Sequence, residues 1–444
     1  MTGRILLRGG CVLTLGVKTP NFTQADLLID GGRVAEVGSG LRARDAEPVD
    51  ATDTIVMPGF VDTHRHAWKS LFRNLGESAS SGEAQVAVFG DHYQPEDVYA
   101  ATLIGLLGAV EAGITTVVDW SDIQPDDSFT DAALQAHADA GLRTVFVQAA
   151  RPWGQSHEDA GPATRQLLTR LAEVAGPSTT IAFGSGELGP TDVGRVAGDW
   201  ALARELSLPI HAHAGSETSR PGVISRAAQQ GLLGEDVTLV HWSELDDADL
   251  DAIAASGASV SLAPSREMAS GLGSPPIQQL IDRHTRPGLG VDDERVAPGD
   301  MFAQMRATIS LQHATVFDLK LAGKAGLPRL ISTRDVIRYA TVEGARVAGL
   351  GRVTGSLEPG MHADVIVLRT DRPNVFPIND PIGAVVWGMD TSNVDWVFAG
   401  GRALMRGGVL QADVQRARSL ATTARQRVAA ASGLVEGAVS GGEG

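Results

Sequence analysis

The chain has 444 residues, 43% of them hydrophobic and 20% charged, a balance expected of a soluble globular protein larger than one minimal core. Its formal net charge of −16 argues against nucleic acid and anionic membrane surfaces as partners. A single cysteine, Cys11, excludes an internal disulfide or a thiolate metal cluster, no apolar run reaches the roughly 20 residues of a membrane span, and no basic leader precedes an apolar segment, so a cytoplasmic location is the default expectation.

Residues 1–50 alternate short strand-like runs (Ile5–Leu7, Leu27–Ile29, Val34–Val37) with Gly-rich turns and read as a small β-meander. From residue 54 the pattern becomes strand, then helix, repeated. Strand-like runs fall at 54–62, 115–120, 143–149, 179–186, 208–214, 237–242, 258–264 and 286–292, with helical segments at 96–111, 162–175, 194–206, 246–255 and 299–312. Such a series of βα units over about 250 residues predicts a TIM-type (β/α)8 barrel, assigned to 54–354. A doubly wound sheet would favour a Gly-rich phosphate loop after an early strand, and none is visible. A helical stretch, Thr333–Leu350, follows, and residues 355–410 return to β character. The expected architecture is therefore α/β: a barrel inserted into a composite β-sandwich of residues 1–53 and 355–410. Residues 411–444 are expected to form a C-terminal helix fading into a disordered tail. The long connection from Ala67 to Gln94 suits a lid or substrate loop.

The chemistry concentrates at strand ends. Thr54-Ile55-Val56-Met57 runs into Pro58-Gly59-Phe60-Val61-Asp62-Thr63-His64-Arg65-His66, where alternation aims His64 and His66 at one spot. His211 and His213 repeat the spacing. With 11 histidines in the chain, chance supplies about 0.3 such His-x-His pairs. His241 closes the run 237–240 and Asp292 closes 287–291. Surface or core histidines and a turn aspartate are the ordinary reading of each residue alone. Four strand ends in order, converging on the C-terminal mouth of a barrel, favour a metal site instead. Imidazole nitrogens with one carboxylate suit a borderline divalent ion, zinc first and iron next, which makes hydroxide available from water near pH 7.

This constellation resembles the amidohydrolase superfamily, in the branch that contains cytosine deaminase, S-adenosylhomocysteine deaminase and the triazine hydrolases. The resemblance rests on the Pro58–His66 motif, Gly113-Ile114-Thr115-Thr116-Val117-Val118-Asp119, the strand ends at His213, His241 and Asp292, and Gly355-Ser356-Leu357-Glu358-Pro359-Gly360 with Ala363-Asp364. It implies that His64, His66, His213 and Asp292 bind the metal, that His241 stands beside the activated water, and that Asp292 takes its proton. His211, facing the same side as His213, is the competing ligand and otherwise a packed residue near the substrate pocket. Two-metal members of the superfamily generally bridge their ions with a carboxylated lysine at a strand end. Lys18, Lys69, Lys320 and Lys324 are the four lysines here, and none lies between 70 and 319, so one ion is expected.

One position departs from the pattern. The branch usually carries a glutamate three residues after the strand-five ligand, where this chain has Ser216. Glu217, one residue on, is the first candidate proton shuttle, with Glu187 and Glu244 as others. Trp68 and Trp153 are expected to line a flat substrate pocket, while alternation sends Trp120 and Trp242 outward into the helix layer. The reading is a mononuclear metal-dependent hydrolase of a small-molecule substrate, with deamination of an N-heterocycle leading and hydrolytic dechlorination, dealkylamination or amide or lactam hydrolysis next. The competing class is a catalytically inactive barrel serving as a binding or scaffold subunit. A homo-oligomer, a dimer first, is the expected assembly.

Overall fold

The computed structural model describes residues 3–75, 88–149, 166, 170, 176–186, 188, 193–214, 221–241, 245–269 and 273–433. The N-terminal segment supplies β1 (Ile5–Val12), β2 (Phe22–Asp30), β3 (Arg33–Gly38), β4 (Glu47–Asp50) and β5 (Thr54–Pro58). Eight further strands, β6 (Phe60–Arg65), β7 (Ile114–Ser121), β8 (Arg143–Ala149), β9 (Thr179–Ser185), β10 (Ile210–His213), β11 (Val237–Val240), β12 (Ser259–Leu262) and β13 (Gly288–Leu289), pair in parallel in chain order. The C-terminal segment adds β14 (Val365–Arg369), β15 (Val394–Ala399), β16 (Arg402–Arg406) and β17 (Val409–Leu410).

The terminal segments do pair with each other. They form one mixed nine-stranded sheet, ordered β17-β16-β15-β14-β5-β1-β2-β3 with β4 also on β1. β1 changes partner midway: Ile5–Arg8 run beside β4, and Cys11–Val12 beside β5. The change falls beside Gly9, whose φ of +78° glycine adopts without a Cβ penalty. The two arms share an apolar core in which Ile29 and Val34 cluster with Val365 and Phe398.

The run 54–62, read from sequence as one barrel strand, is two strands. Thr54–Pro58 pairs with β14 in the terminal sheet, and only Phe60 onward enters the barrel. Gly59 is the crossing point. Its N–H bonds the Asp364 carbonyl at 3.0 Å, and a Cβ there would lie 2.2 Å from the Thr115 side chain. The motif glycine is thus a close-approach residue between the two sheets.

The barrel seam lies between β6 and the end of β13. Asp292 N donates to the His64 carbonyl and His66 N to the Asp292 carbonyl, both at 2.8 Å. Gly290 makes this approach feasible, since a Cβ there would stand 2.8 Å from His64 N. Beneath the seam the wholly buried Asp62 accepts from Arg65 Nε at 2.7 Å and from Val291 N at 3.0 Å.

Around the barrel run α1 (Pro95–Glu111), α2 (Asp127–Ala140), α3 (Val193–Glu205), α4 (Val223–Gln229), α5 (Asp247–Ser256), α6 (Pro264–Ala269), α7 (Ile277–Asp282) and α8 (Met301–Leu321). Three of their starts carry aspartate caps: Asp126, Asp246 and Asp300 each accept a backbone N–H of the first turn, worth about 1 kcal/mol apiece. The stretch 333–350 is not one helix. It breaks at Thr341 into α9 (Thr333–Tyr339) and α10 (Val342–Val347). Ala345, Ala348 and Leu350 then pack against the inward residues Val61, Val118, Val145, Val147 and Ala182, closing the barrel floor. The final helix, α11 (Val414–Ala431), returns to α1, where Arg427 bonds Asp97, and its Ala424 and Val428 join the cluster around Trp68 and Phe72. Residues 434–444 and most of 162–175 lie outside the described residues.

Candidate metal centre

The strand ends bring together five of the polar groups singled out from the sequence, His64, His66, His213, His241 and Asp292. His64 Nε2 lies 3.6 Å and His66 Nε2 3.5 Å from Asp292 Oδ1. His213 Nε2 is 3.3 Å from His64 Nε2, and His241 Nε2 is 3.3 Å from Asp292 Oδ2. Two triads result, His64–His66–Asp292 and His64–His213–His241, each with its donor atoms within 4.8 Å of one another and with His64 common to both. The rings of His66 and His213 lie parallel (3°), as do those of His213 and His241 (13°), while His64 stands across them at 85–90°.

Local backbone explains the convergence. From Asp62 to Arg65 β6 advances three residues while its partner β7 advances two, from Val117 to Asp119. Such an irregularity re-aims side chains at a strand end. It allows Val61 and Thr63 to face the barrel interior while His64 does so too; Thr63 Oγ1 meets Ser261 Oγ at 2.6 Å. His241 and Asp292 hold left-handed backbones, φ +62° and +67°. Non-glycine residues persist there only where their surroundings over-determine them, commonly at functional sites.

The donor set fits a divalent cation. Donor atoms 3.3–3.6 Å apart can share one ion at about 2.0–2.2 Å from each, the range of Zn–N and Zn–O bonds. Without a cation, imidazole nitrogens facing one another this closely in a buried pocket leave polar groups uncompensated. Electrostatics agree. Burial drives His64 down to about 3 and His213 well below its ordinary value, which keeps both imidazoles neutral, the form that ligates. Burial opposes ionisation of Asp292, but His241, His64 and Arg266 outweigh it and hold the carboxyl well below the usual range. Burial likewise opposes charging of His241, while Asp292 and Glu267 raise it to about 9.

A second layer orients the imidazoles. His66 Nδ1 meets Asp122 Oδ1 at 3.2 Å, and the indole N–H of Trp68 bonds the same oxygen. His241 Nδ1 meets Glu267 Oε1 at 3.1 Å. Carboxylates behind ligating histidines fix the tautomer that leaves Nε2 free for a metal. A further buried chain steadies the turn after β6: Asp119 accepts the Ala67 N–H at 2.8 Å and pairs with His137 Nε2 at 2.7 Å, and His137 Nδ1 meets Thr144 Oγ1 at 2.9 Å.

Asp122 and Glu267 escaped the sequence reading. Glu267 had a signal, being the sole acidic residue between Leu262 and Leu280, next to a strand end. Three other expectations are met differently. Trp68 is 2% exposed, a wall tied down through Asp122 and edge-on to Tyr93, rather than an open flat face. His211 does not join the cluster. It lines a cavity of about 320 Å³ with Pro209, Asp236, Thr238, Ser259 and Val347, at the starts of the strands and the opposite end from the metal donors. Trp120 is not turned outward: its ring lies 4.0 Å from that of His213, because β7 presents Val118 and Trp120 to the interior and Asp119 to α2. Ser216, Glu217, Glu187, Glu244, Trp153 and Trp242 lie outside the described residues.

A family model described as "Amidohydrolase family" matches residues 55–404. Among curated relatives, a 5'-deoxyadenosine deaminase of Methanothermobacter thermautotrophicus is 26% identical over 92% of this chain and 94% of its own length. A 5-methylthioadenosine/S-adenosylhomocysteine deaminase of Halobacterium salinarum is 28% identical over 91% and 93%. Among solved structures, a zinc-bound adenosine deaminase of Xanthomonas campestris superposes with a TM-score of 0.82 at 20% identity, covering 96% of this chain and 98% of that one. A zinc complex of atrazine chlorohydrolase from Arthrobacter aurescens TC1 superposes with a TM-score of 0.83, also at 20% identity, over 95% and 100%.

Proposed function

Because the chain belongs to the amidohydrolase family and the curated relatives named above are deaminases, we propose that it deaminates a small N-heterocyclic substrate at a single divalent ion, zinc first and iron second. The observation that carries this reading is the cluster at the C-terminal mouth, four imidazoles and Asp292 with neighbouring donor atoms 3.3–3.6 Å apart. His64, His66, His213 and Asp292 would hold the ion. The absence of any lysine between residues 70 and 319 favours one ion over a lysine-bridged pair.

The ion, when bound, supplies hydroxide at neutral pH by acidifying a water molecule. The remaining work falls to this chain's side chains. Asp292, kept ionised by His241 and its other neighbours, accepts the proton released as water attacks the ring carbon. His241, touching Asp292 Oδ2, holds the developing negative charge and passes a proton toward the departing amine. Glu267 keeps His241 in the orientation this requires. The carbon–nitrogen bond breaks, a carbon–oxygen bond forms, and ammonia leaves with the transferred proton. Glu217 is the candidate for a separate shuttle to the leaving group.

The adenosine-type relatives set the first substrates to try. Ammonia release across aminopurine nucleosides, aminopyrimidines and aminotriazines tests the reading. Release from one class that stops on chelation supports it. Turnover of chloro- or alkylamino-triazines without ammonia from any ring assigns the site to the alternative leaving groups, and the atrazine chlorohydrolase likeness keeps that reading second. Metal-free, inactive protein under all conditions would favour the scaffold class. Relatives that deaminate nucleosides also support a small-molecule substrate, and no helix among the described residues is long and apolar enough to cross a membrane. Cytoplasmic location and a homodimer belong to this proposal.

A further inference from the structure

The carboxylate of Asp292 is divided between two sets of neighbours. Oδ1 faces His64 Nε2 at 3.6 Å and His66 Nε2 at 3.5 Å, while Oδ2 faces His241 Nε2 at 3.3 Å and Arg266 Nε at 3.6 Å. Arg266 is 4% exposed and rises from a fixed piece of backbone. It stands in α6, directly after β12, where Glu267 N bonds the Ala263 carbonyl and Ala263 N bonds Glu267 Oε1, both at 2.9 Å. Ser265 N bonds Gln304 Oε1 at 3.2 Å. Adjacent residues of one short helix thus address the two proton-handling groups, Arg266 the Asp292 carboxylate and Glu267 the His241 ring.

Arg266 Nε also donates to Asp293 Oδ2 at 3.2 Å. Asp293 has other cations. Arg295 donates to Oδ1 at 3.0 Å and to Oδ2 at 2.8 Å, and Lys69 lies 4.0 Å away. Burial and the Asp292 charge oppose ionisation of Asp293, and Lys69 and Arg295 lead in overcoming them. The two cationic neighbours of Asp292 Oδ2 differ in kind. An imidazolium that passes its proton to a leaving group loses its charge, whereas a guanidinium keeps its charge throughout.

We infer that Arg266 is a positioning residue that acts through Asp292: it keeps Oδ2 turned toward the His241 side, so that Asp292 meets the ion through Oδ1 alone and reserves Oδ2 for the proton released by water. This deepens the deaminase reading and rests on it. An arginine serving only as counter-ion to Asp293 would alter stability and leave the coordination of the ion unchanged.

The test compares the cobalt(II)-loaded full chain as wild type, R266M and R266K. Visible absorption per bound cobalt weakens as coordination number rises, and geometry of this kind is diagnostic for a transition ion. R266M should absorb more weakly than the wild type, because Oδ2 is free to join the ion, and R266K should fall between them. Turnover of whichever ring releases ammonia should drop about 10–100-fold in R266M, the usual weight of a group behind a ligand, with KM nearly unchanged. Both effects should persist in an Asp293→Asn background. Cobalt content and melting temperature identify folded variants, with R266Q as the substitute should R266M fail to fold. Equal absorption per cobalt in the wild type and the variant, or effects of R266M that vanish in the Asp293→Asn background, overturn the inference. Ammonia release with unaltered absorption removes this inference alone. Altered absorption with no ammonia from any ring removes the deaminase reading alone.

Discussion

His241 Nε2 stands 3.3 Å from Asp292 Oδ2, and the two residues share a left-handed backbone, φ +62° and +67°, at the ends of neighbouring regions of the barrel. Each such backbone costs about 1–3 kcal/mol, and each is locked from outside. Glu267 holds the His241 ring, while His64 and His66 clamp the Asp292 main chain. The strain is thus invested in a contact between Asp292, a proposed metal ligand, and His241, the imidazole proposed to handle the proton.

Asp292→Asn keeps the shape of the side chain and removes its charge. Turnover should fall about 10²–10⁴-fold, the usual weight of a general base, with reduced metal content and a nearly unchanged melting temperature. Rate measurement beside elemental analysis checks this; full activity in the variant contradicts it.

The carboxylates behind the imidazoles should separate by readout. Asp122→Asn is expected to weaken metal affinity about 10–100-fold through His66, and Glu267→Gln to lower turnover by a similar factor through His241. Competition against a chelator of known affinity reads the first, and steady-state kinetics at saturating metal the second. If neither variant differs from wild type, the second layer plays no part in function.

Beneath the seam, Asp62→Ala takes from the buried Arg65 its 2.7 Å partner and leaves Glu294, at 3.5 Å, as the remaining ion pair among the described residues. Breaking such a pair costs about 3–5 kcal/mol, visible as a lowered urea midpoint. The double variant Asp62→Ala/Arg65→Met should recover much of the loss, since a buried ion pair exceeds an apolar replacement by little. A single-variant loss under about 1 kcal/mol would contradict the placement of Asp62 at Val291 N.

Gly290→Ala puts a methyl group 2.8–2.9 Å from the His64 N and O, main-chain atoms that cannot move without shifting a metal donor. Overpacking of this kind costs about 1–3 kcal/mol, and metal retention should fall with it. Thermal denaturation and metal analysis on the same sample decide the matter; unchanged values in both would show the seam to be slack.

Much of this was legible in the chain because strands end abruptly. His64, His66, His213, His241 and Asp292 each follow an apolar run, and a barrel collects such ends at one mouth whatever their separation in sequence. The floor of the barrel was not legible: nothing in Val342–Val347 announces that it packs under Val61 rather than on the outer layer. Trp120 was misplaced because alternation was counted from Asp119, and a single residue of register reverses every side chain on a strand. The run 54–62 reads as continuous since Pro58-Gly59 breaks it only through contacts with Thr115 and Asp364, which are distant in sequence. Asp122 and Glu267 lie in turns, where spacing carries no direction and only the folded chain shows what each carboxylate faces.

Elemental analysis of the purified protein, wild type against His64→Asn, tests the central claim most directly, since His64 belongs to both donor triads. The account predicts one equivalent of zinc or iron per chain in the wild type and a stoichiometry near zero in the variant, with both proteins folded. A wild type that takes up no divalent metal on reconstitution, or a variant that retains a full equivalent, would contradict it.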